Sequence, residues 1–312
     1  MTDETAGVDA SASATGAPPA GIPPAEVEID EPLVRGLLRE QHPDLADLPL
    51  ALAATGWDNA TFRLGERLAV RLPRIRAGVD LIRHEQRWLP ELAPRLPVPV
   101  PAPVRVGEPG AGFPWPWSVV PWVAGRSAEH GLPVPAEAAT FGRFLAAVHQ
   151  PAPAGFPRND WRGIPLAAVA DRVKQRLDHV STLDGALPVP VATIWRVWRA
   201  ALAAPVDPLA TVVHADLHPK NVLVDGGRLA AVLDWGDMTA GDPAVDLSAA
   251  WMLFPTGAHD DIWAAYGTVP PATLARAAGW AVFFGVTLLD VGLANDPPFA
   301  EIGRRTLAWL CS

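Results

Sequence analysis

Cysteine is nearly absent from this chain of 312 residues: Cys311, next to the last position, is the only one. A single thiol cannot form a disulfide within the chain, and a reducing cytoplasm is the expected setting. No run of about 18 apolar residues reads as a membrane span, although the apolar share of 49% is ample for sizeable cores. The opening stretch, MTDETAGVDASASATGAPPAGIPPAE, lacks the basic and hydrophobic regions of a secretion signal. Its acidic, Ala-, Ser-, Gly- and Pro-rich composition is expected to leave residues 1–25 a disordered tail. Basic charge is also scarce: 25 Lys and Arg stand against 34 Asp and Glu, for a net charge of −9. Such a surface does not suit a nucleic-acid partner, so neither nucleic acid nor membrane is expected to bind.

What is present concentrates between Thr211 and Leu247, TVVHADLHPKNVLVDGGRLAAVLDWGDMTAGDPAVDL. His214, Asp216 and Asn221 fall in one loop, and Asp234-Trp235-Gly236 follows a hairpin. Leu209 to Val213 reads as a short strand leading into the loop. Asp225-Gly226-Gly227-Arg228 between two apolar runs is a strong hairpin signal. That hairpin sets Asn221 and Asp234 side by side at its open end, where two oxygen ligands suit magnesium once phosphates and waters complete the shell. Phosphoryl transfer needs this set: one carboxylate to accept the hydroxyl's proton, here Asp216, and two oxygen ligands for the metal. Asp216 and Asn221 keep the spacing of H-R-D-L-x-x-x-N, and D-W-G stands where D-F-G would. His214 reads as a structural residue beneath the loop rather than as the base.

The chain here resembles the aminoglycoside phosphotransferase family, small-molecule kinases that share the protein-kinase fold. H-A-D-L-H-P-K-N, L-D-W-G and G-D-P-A-V-D-L (Gly241 to Leu247) carry the resemblance, which extends from about residue 30 to the C-terminus. It implies an α+β bilobal fold: a small nucleotide-binding lobe with an antiparallel sheet (26–123) and a larger, mostly helical catalytic lobe (124–312). It also implies Mg2+, ATP or GTP as donor, and a small-molecule hydroxyl as acceptor. Asp242 and Asp246 are expected to brace the catalytic loop.

In the N-terminal part, a helix from Asp30 to about Gln41 is followed by strands over 50–54, 60–64 and 68–72. Thr55 to Asn59 lies where a kinase carries its phosphate-covering loop, without G-x-G-x-x-G. Backbone N–H groups there, at Asn59 and Ala60, are expected to meet phosphate oxygens. Arg71 stands at the position of the V-A-I-K lysine, and Glu85, on a helix over Gly78 to Leu89, is its expected partner. Arginine keeps the charge but is longer and forked, and Arg63 and Arg74 are the next candidates. Arg83 and His84 are expected to face solvent. Strands follow at 104–106 and 117–120. The resemblance makes Val120 to Val123 the hinge against a purine ring, with Trp122 or Val123 as donor because Pro121 has no N–H.

The remainder reads as helices over 136–148, 163–183, 191–203, 244–253, 262–266, 271–293 and 299–310. Asp160, Asp260, Asp261, Asn295, Asp296 and Glu301 are candidate acceptor-site groups. Asp242 follows Asp234 by only eight residues, leaving no activation segment on which a peptide could dock. This argues against a protein kinase. All catalytic positions are filled, so a nucleotide-binding scaffold without activity rests on Arg71 alone.

Overall fold

A computed structural model describes residues 23–159, 162–206 and 211–312. Most of the expected tail lies outside the described residues, as do Asp160, Leu209 and Ala210. Helix α1 (Glu31–Gln41) starts at an Asp30 carboxylate that accepts the Leu33 N–H, with a proline in its first turn. Strands β1 (Leu50–Thr55), β2 (Asn59–Leu64) and β3 (Leu68–Pro73) follow within a residue of expectation. Helix α2 (Gly78–Leu92), β4 (Arg105–Gly107) and β5 (Trp117–Pro121) complete the N-terminal lobe. Its five strands form an antiparallel sheet in the order β1-β2-β3-β5-β4. Val34, Leu37, Phe62, Leu64, Val70 and Trp117 form its core.

Helix α2 serves two cores. Val79 packs in the first, while Trp88, Leu89 and Leu92 pack in the second. Glu85 lies between them, on the same buried face.

The C-terminal lobe runs through β6 (Arg126–Ser127), α3 (Ala138–Val148), α4 (Ala170–Ser181), α5 (Val191–Ala203) and β7 (Thr211–Val213). It continues with β8 (Val222–Asp225), β9 (Arg228–Val232), β10 (Thr239–Gly241), α6 (Ala244–Leu247) and α7 (Ala250–Leu253). It ends with α8 (His259–Tyr266), α9 (Pro271–Asn295) and α10 (Pro297–Leu310). Two small sheets, β7 with β10 and β6-β8-β9, carry the catalytic segment. The expected helix over 163–183 is α-helical only from Ala170; Pro165 disfavours helical backbone at Ile164, and Leu166–Val169 form a tighter 3-10 turn before α4. The expected helix over 244–253 splits in two where the Ser248 hydroxyl bonds the Val245 carbonyl, a local alternative to the helical ladder.

Helix α9 corrects the expectation that no stretch could span a membrane. Its 25 residues include a window of mean hydropathy 1.7, long and apolar enough by those measures alone. Within the protein, 67% of that window is buried. It is packed against α4, α5, α6 and α10.

Candidate active site

The catalytic loop leaves β7 and is held by one buried carboxylate. Asp246, fully buried on α6, accepts the N–H groups of His214 (2.7 Å) and Ala215 (2.8 Å). His149 stands 3.1 Å from the same carboxylate and 2.9 Å from the Tyr266 hydroxyl. His214 Nδ1 accepts the Asp216 N–H at 3.2 Å, so its Nε2 carries the proton shared with the Leu233 carbonyl at 2.8 Å. Its ring also packs on Trp235, 4.7 Å between centroids. His214 is thus structural, as expected. These bonds over-determine a loop in which Ala215 has φ 70, a conformation uncommon outside glycine.

Asn221 and Asp234 meet at the open end of the hairpin. Val222 pairs with Val232, and the Leu233 N–H donates to the Asn221 carbonyl at 2.8 Å. Gly226 and Gly227, both with positive φ (54 and 82), make the two-residue turn that fixes this register. Asn221 Nδ2 donates to the Asp216 carbonyl at 2.9 Å, which leaves its Oδ1 as an oxygen ligand. Asp234, φ 60, presents a half-exposed carboxylate.

Behind Asp234 the two lobes are tied. Arg71 Nη1 lies 2.6 Å from Glu85 Oε2 and Arg71 Nη2 lies 3.5 Å from Asp234 Oδ1. Glu85 Oε1 accepts the Trp235 N–H at 3.0 Å. The structure therefore brings Arg71, Glu85 and the D-W-G loop into one chain of contacts. Gly236 permits the approach: a Cβ there would sit 2.7 Å from that of Leu81 on α2. His84, expected to face solvent, lines the cleft instead, 3.4 Å from the Gly236 carbonyl.

A cleft of about 1010 Å3 joins these groups, with Asp58, Asp216, Asn221, Asp234 and Asp237 on its walls. Burial and the carboxylates of Asp234, Asp237 and Asp216 push Asp58 up to about 6. Burial also raises Asp237, against Arg162. Asp216 goes the other way. Burial opposes its charge, but Arg162 Nη1 at 2.9 Å and His218 Nε2 at 3.6 Å outweigh that and hold it well below the usual carboxylate range. Sequence reasoning missed Arg162, His218 and Asp237. His218 and Asp237 sit inside the conspicuous segment and were overlooked, whereas nothing in the stretch around Arg162 distinguishes it. Among the described residues no cluster of three or more His, Cys, Asp or Glu side chains could by itself hold a metal. The donor set of Asn221 and Asp234 nevertheless fits Mg2+, a hard cation that keeps waters and phosphate oxygens in its shell. Burial first, and then the carboxylates of Asp234, Asp237 and Asp216, raise Asp58, and a cation held beside those carboxylates would relieve the second contribution.

Residues 49–280 match the phosphotransferase enzyme family over most of the chain's length. The chain belongs to that family. Among solved structures it is similar to the GDP complex of an aminoglycoside 2'-phosphotransferase-IIIa mutant, with a TM-score of 0.66 and 19% identity over 89% of this chain and 96% of that one. It is also similar to the macrolide 2'-phosphotransferase MphH of Brachybacterium faecium, with a TM-score of 0.56 and 24% identity over 88% and 98%. At these identities the likeness shows the fold, which is the kinase-like one. A homoserine kinase of Methylocella silvestris is 30% identical over 156 residues, 45% of this chain and 44% of that one. The chain spans less than half the length of the curated relatives it matches.

Set in this family fold, the expected nucleotide-loop and hinge residues lie apart from the cleft. Thr55, Gly56, Trp57 and Asp58 line it, whereas Asn59 and Ala60 do not. Ala60 is buried at the start of β2, and the buried Asn59 Oδ1 has no hydrogen-bond partner among the described residues. Arg74 is buried and binds the carbonyls of Gly56 (3.0 Å) and Trp57 (3.4 Å), so it shapes this loop instead of facing phosphate. Arg63 stacks over Trp122 at 5.0 Å.

Val120, Trp122 and Val123 sit outside the cleft, at the end of β5. The Trp122 N–H is taken by the Arg67 carbonyl at 2.8 Å, and Val120 pairs with Ala69. The Trp122 N–H is therefore not free to serve as a donor to a base. Of the acceptor-site candidates, Asn295 and Asp296 line the cleft, and Asp296 holds Lys220 at 2.7 Å. Asp260, Asp261 and Glu301 are exposed elsewhere. Among the described residues no hydrogen bond or ion pair joins Asp242 to the catalytic loop. It pairs with Arg276 on α9 at 2.6 Å and accepts the Ala244 N–H at the start of α6.

Proposed function

We propose that this protein is a small-molecule kinase, with residues 26–123 as its nucleotide-binding lobe and 124–312 as its catalytic lobe. Asp216 accepts the proton of the acceptor hydroxyl. That oxygen bonds to the γ-phosphorus of ATP or GTP as the bond to the β–γ bridging oxygen breaks, and the nucleoside diphosphate leaves. Arg162 lies on Asp216 Oδ1 at 2.9 Å, so the incoming hydroxyl meets Oδ2, beside which His218 Nε2 stands at 3.6 Å. Asn221 and Asp234 would hold magnesium, which would supply charge neutralisation for the transferred phosphoryl group. Arg71, oriented by Glu85, contacts the α- and β-phosphates, and the backbone from Pro121, the end of β5, to Val123 receives the base.

The observation that carries this reading is the placement of Asp216, Asn221 and Asp234 on one cleft wall, with Arg71 and Glu85 directly behind Asp234. The acceptor is either an antibiotic, as with the aminoglycoside and macrolide enzymes of similar fold, or a primary metabolite of the choline, homoserine or sugar type. A cytoplasmic location accords with the single cysteine. The test is incubation with Mg2+ and ATP or GTP against a broad panel of alcohols, read by mass as the gain of one phosphoryl group. At least one acceptor should gain it. A chain that binds nucleotide and phosphorylates nothing in the panel overturns the reading.

A further inference from the structure

Asp216 faces a second cavity of about 440 Å3, lined by neither Asn221 nor Asp234. Trp57, Arg162, Asp216, His218 and Phe299 are common to both spaces, so the second is reached from the first around the carboxylate. Its volume lies in the range of small-ligand sites. If Asp216 is the base, this is where the acceptor's body lies, and its lining states what that body must be.

Three arginines face the space, 162, 172 and 176, against one carboxylate, Asp216. Two of them are matched. Arg162 contacts Asp216, and Arg176 is held at 2.7 Å by Asp290, which also contacts His179. Arg172 on α4 is half-buried, and among the described residues it forms no hydrogen bond or ion pair. It has only the Phe283 ring, 5.8 Å from its guanidinium carbon. Its N–H donors are thus left without a protein acceptor among the described residues, on a side chain that water only partly reaches. Thr287 on α9 supplies an independent sign: it lines the same cavity, and its buried hydroxyl has no partner among the described residues. Phe283, Phe284 and Leu288 form an apolar wall beside these groups.

We propose that the acceptor is an anionic alcohol, with an apolar, ring-bearing body and a carboxylate or phosphoryl group bound by Arg172 and the Thr287 hydroxyl. An arginine fork matches either anion bidentately, and the rings accept the apolar body. A polycation, by contrast, meets like charge on this side of Asp216. The proposal rests on Asp216 being the base, because that is what makes this cavity the acceptor's. The transfer itself is the one already given: the proton goes to Asp216, and the phosphoryl group goes to the alcohol oxygen.

Calorimetry on the full chain with Mg2+ and ADP tests it with matched probes. These are tropate, which joins a phenyl ring, a primary alcohol and a carboxylate; its methyl ester; the phosphonate analogue; and 3-amino-2-phenylpropan-1-ol as the cation. At least one anion should bind, with the ester and the amine at least about tenfold weaker. Whether the carboxylate or the phosphonate binds more tightly identifies the anion. Arg172→Gln should weaken the anions roughly 10- to 100-fold, and Arg172→Lys should restore part of that loss. Equal affinity for the ester or amine, no binding by either anion, or unchanged anion affinity in a folded Arg172→Gln overturns the proposal. Should Arg172→Gln not fold, the four probes on the unmodified protein decide alone. Phosphoryl transfer is scored separately, so absence of transfer with every acceptor strikes the kinase reading, while the binding series judges the anion site.

Discussion

On the C-terminal wall of the cleft, the loop from His214 to Asn221 is fixed by buried groups. Asp246 takes two of its N–H groups, and the His214 ring links the Asp216 N–H to the Leu233 carbonyl. On the N-terminal wall, the β1–β2 loop exposes Trp57 by 59% and owes its shape largely to Arg74 binding two carbonyls. The charges differ in the same sense. Asp216 is held ionised by a matched arginine, whereas Asp58 is raised to about 6 by burial and by the carboxylates of Asp234, Asp237 and Asp216. The first wall is complete without ligand, and the second is built to respond to one. Positioned chemistry on one side and an adaptable cover on the other is what phosphoryl transfer asks of a cleft, since catalysis there is mostly placement and charge stabilisation.

The largest effect should come from removing the strap of the complete wall. Asp246→Ala leaves two buried N–H groups and His149 without their acceptor, and should cost about 3–5 kcal/mol of stability. Chemical denaturation will read this. A loss below ~1 kcal/mol would mean that the loop holds itself. Breaking the tie between the walls should come next. Arg71→Ala should lower kcat and raise the nucleotide KM together, with kcat/KM down roughly 10²-fold. Glu85→Ala should do the same more weakly, and the double mutant should be no worse than Arg71→Ala, because the pair acts as a unit. Fully additive losses would show that the two act separately.

The smallest effect concerns the responsive wall. Asp58 has a folded pKa of about 6, above its ordinary value, so its carboxylate is disfavoured by folding. Its contribution to stability is therefore most favourable at low pH and declines as pH rises from about 4 through about 6. Without ligands, Asp58→Asn should raise Tm at pH 7.5 and leave it nearly unchanged at pH 4. An equal Tm difference at both values would show that Asp58 does not carry this charge strain.

The contrast also explains how much was legible. The complete wall is written locally: Asp216, Asn221, the Gly226-Gly227 turn and Asp234 sit in one segment, where spacing fixes geometry. The pairing of Arg71 with Glu85 was readable from element order, since β3 and α2 are adjacent in the chain. Trp122 was misjudged as a donor because its N–H is consumed by Arg67, a cross-strand partner that spacing does not reveal. Arg162 reaches Asp216 from a stretch without periodicity, and Arg172 gains meaning only from α9 packing opposite α4. Asp242 carries the family's motif but spends it on Arg276, a contact set by the packing of α9.

The account turns on Asp216, and one comparison tests it most directly. In Asp216→Asn, acceptor-dependent turnover should fall by ~10²–10⁴-fold, while the affinity for nucleotide with Mg2+ stays within about twofold of the unmodified protein. Turnover retained at the original kcat would contradict the assignment of the base and the mechanism built on it.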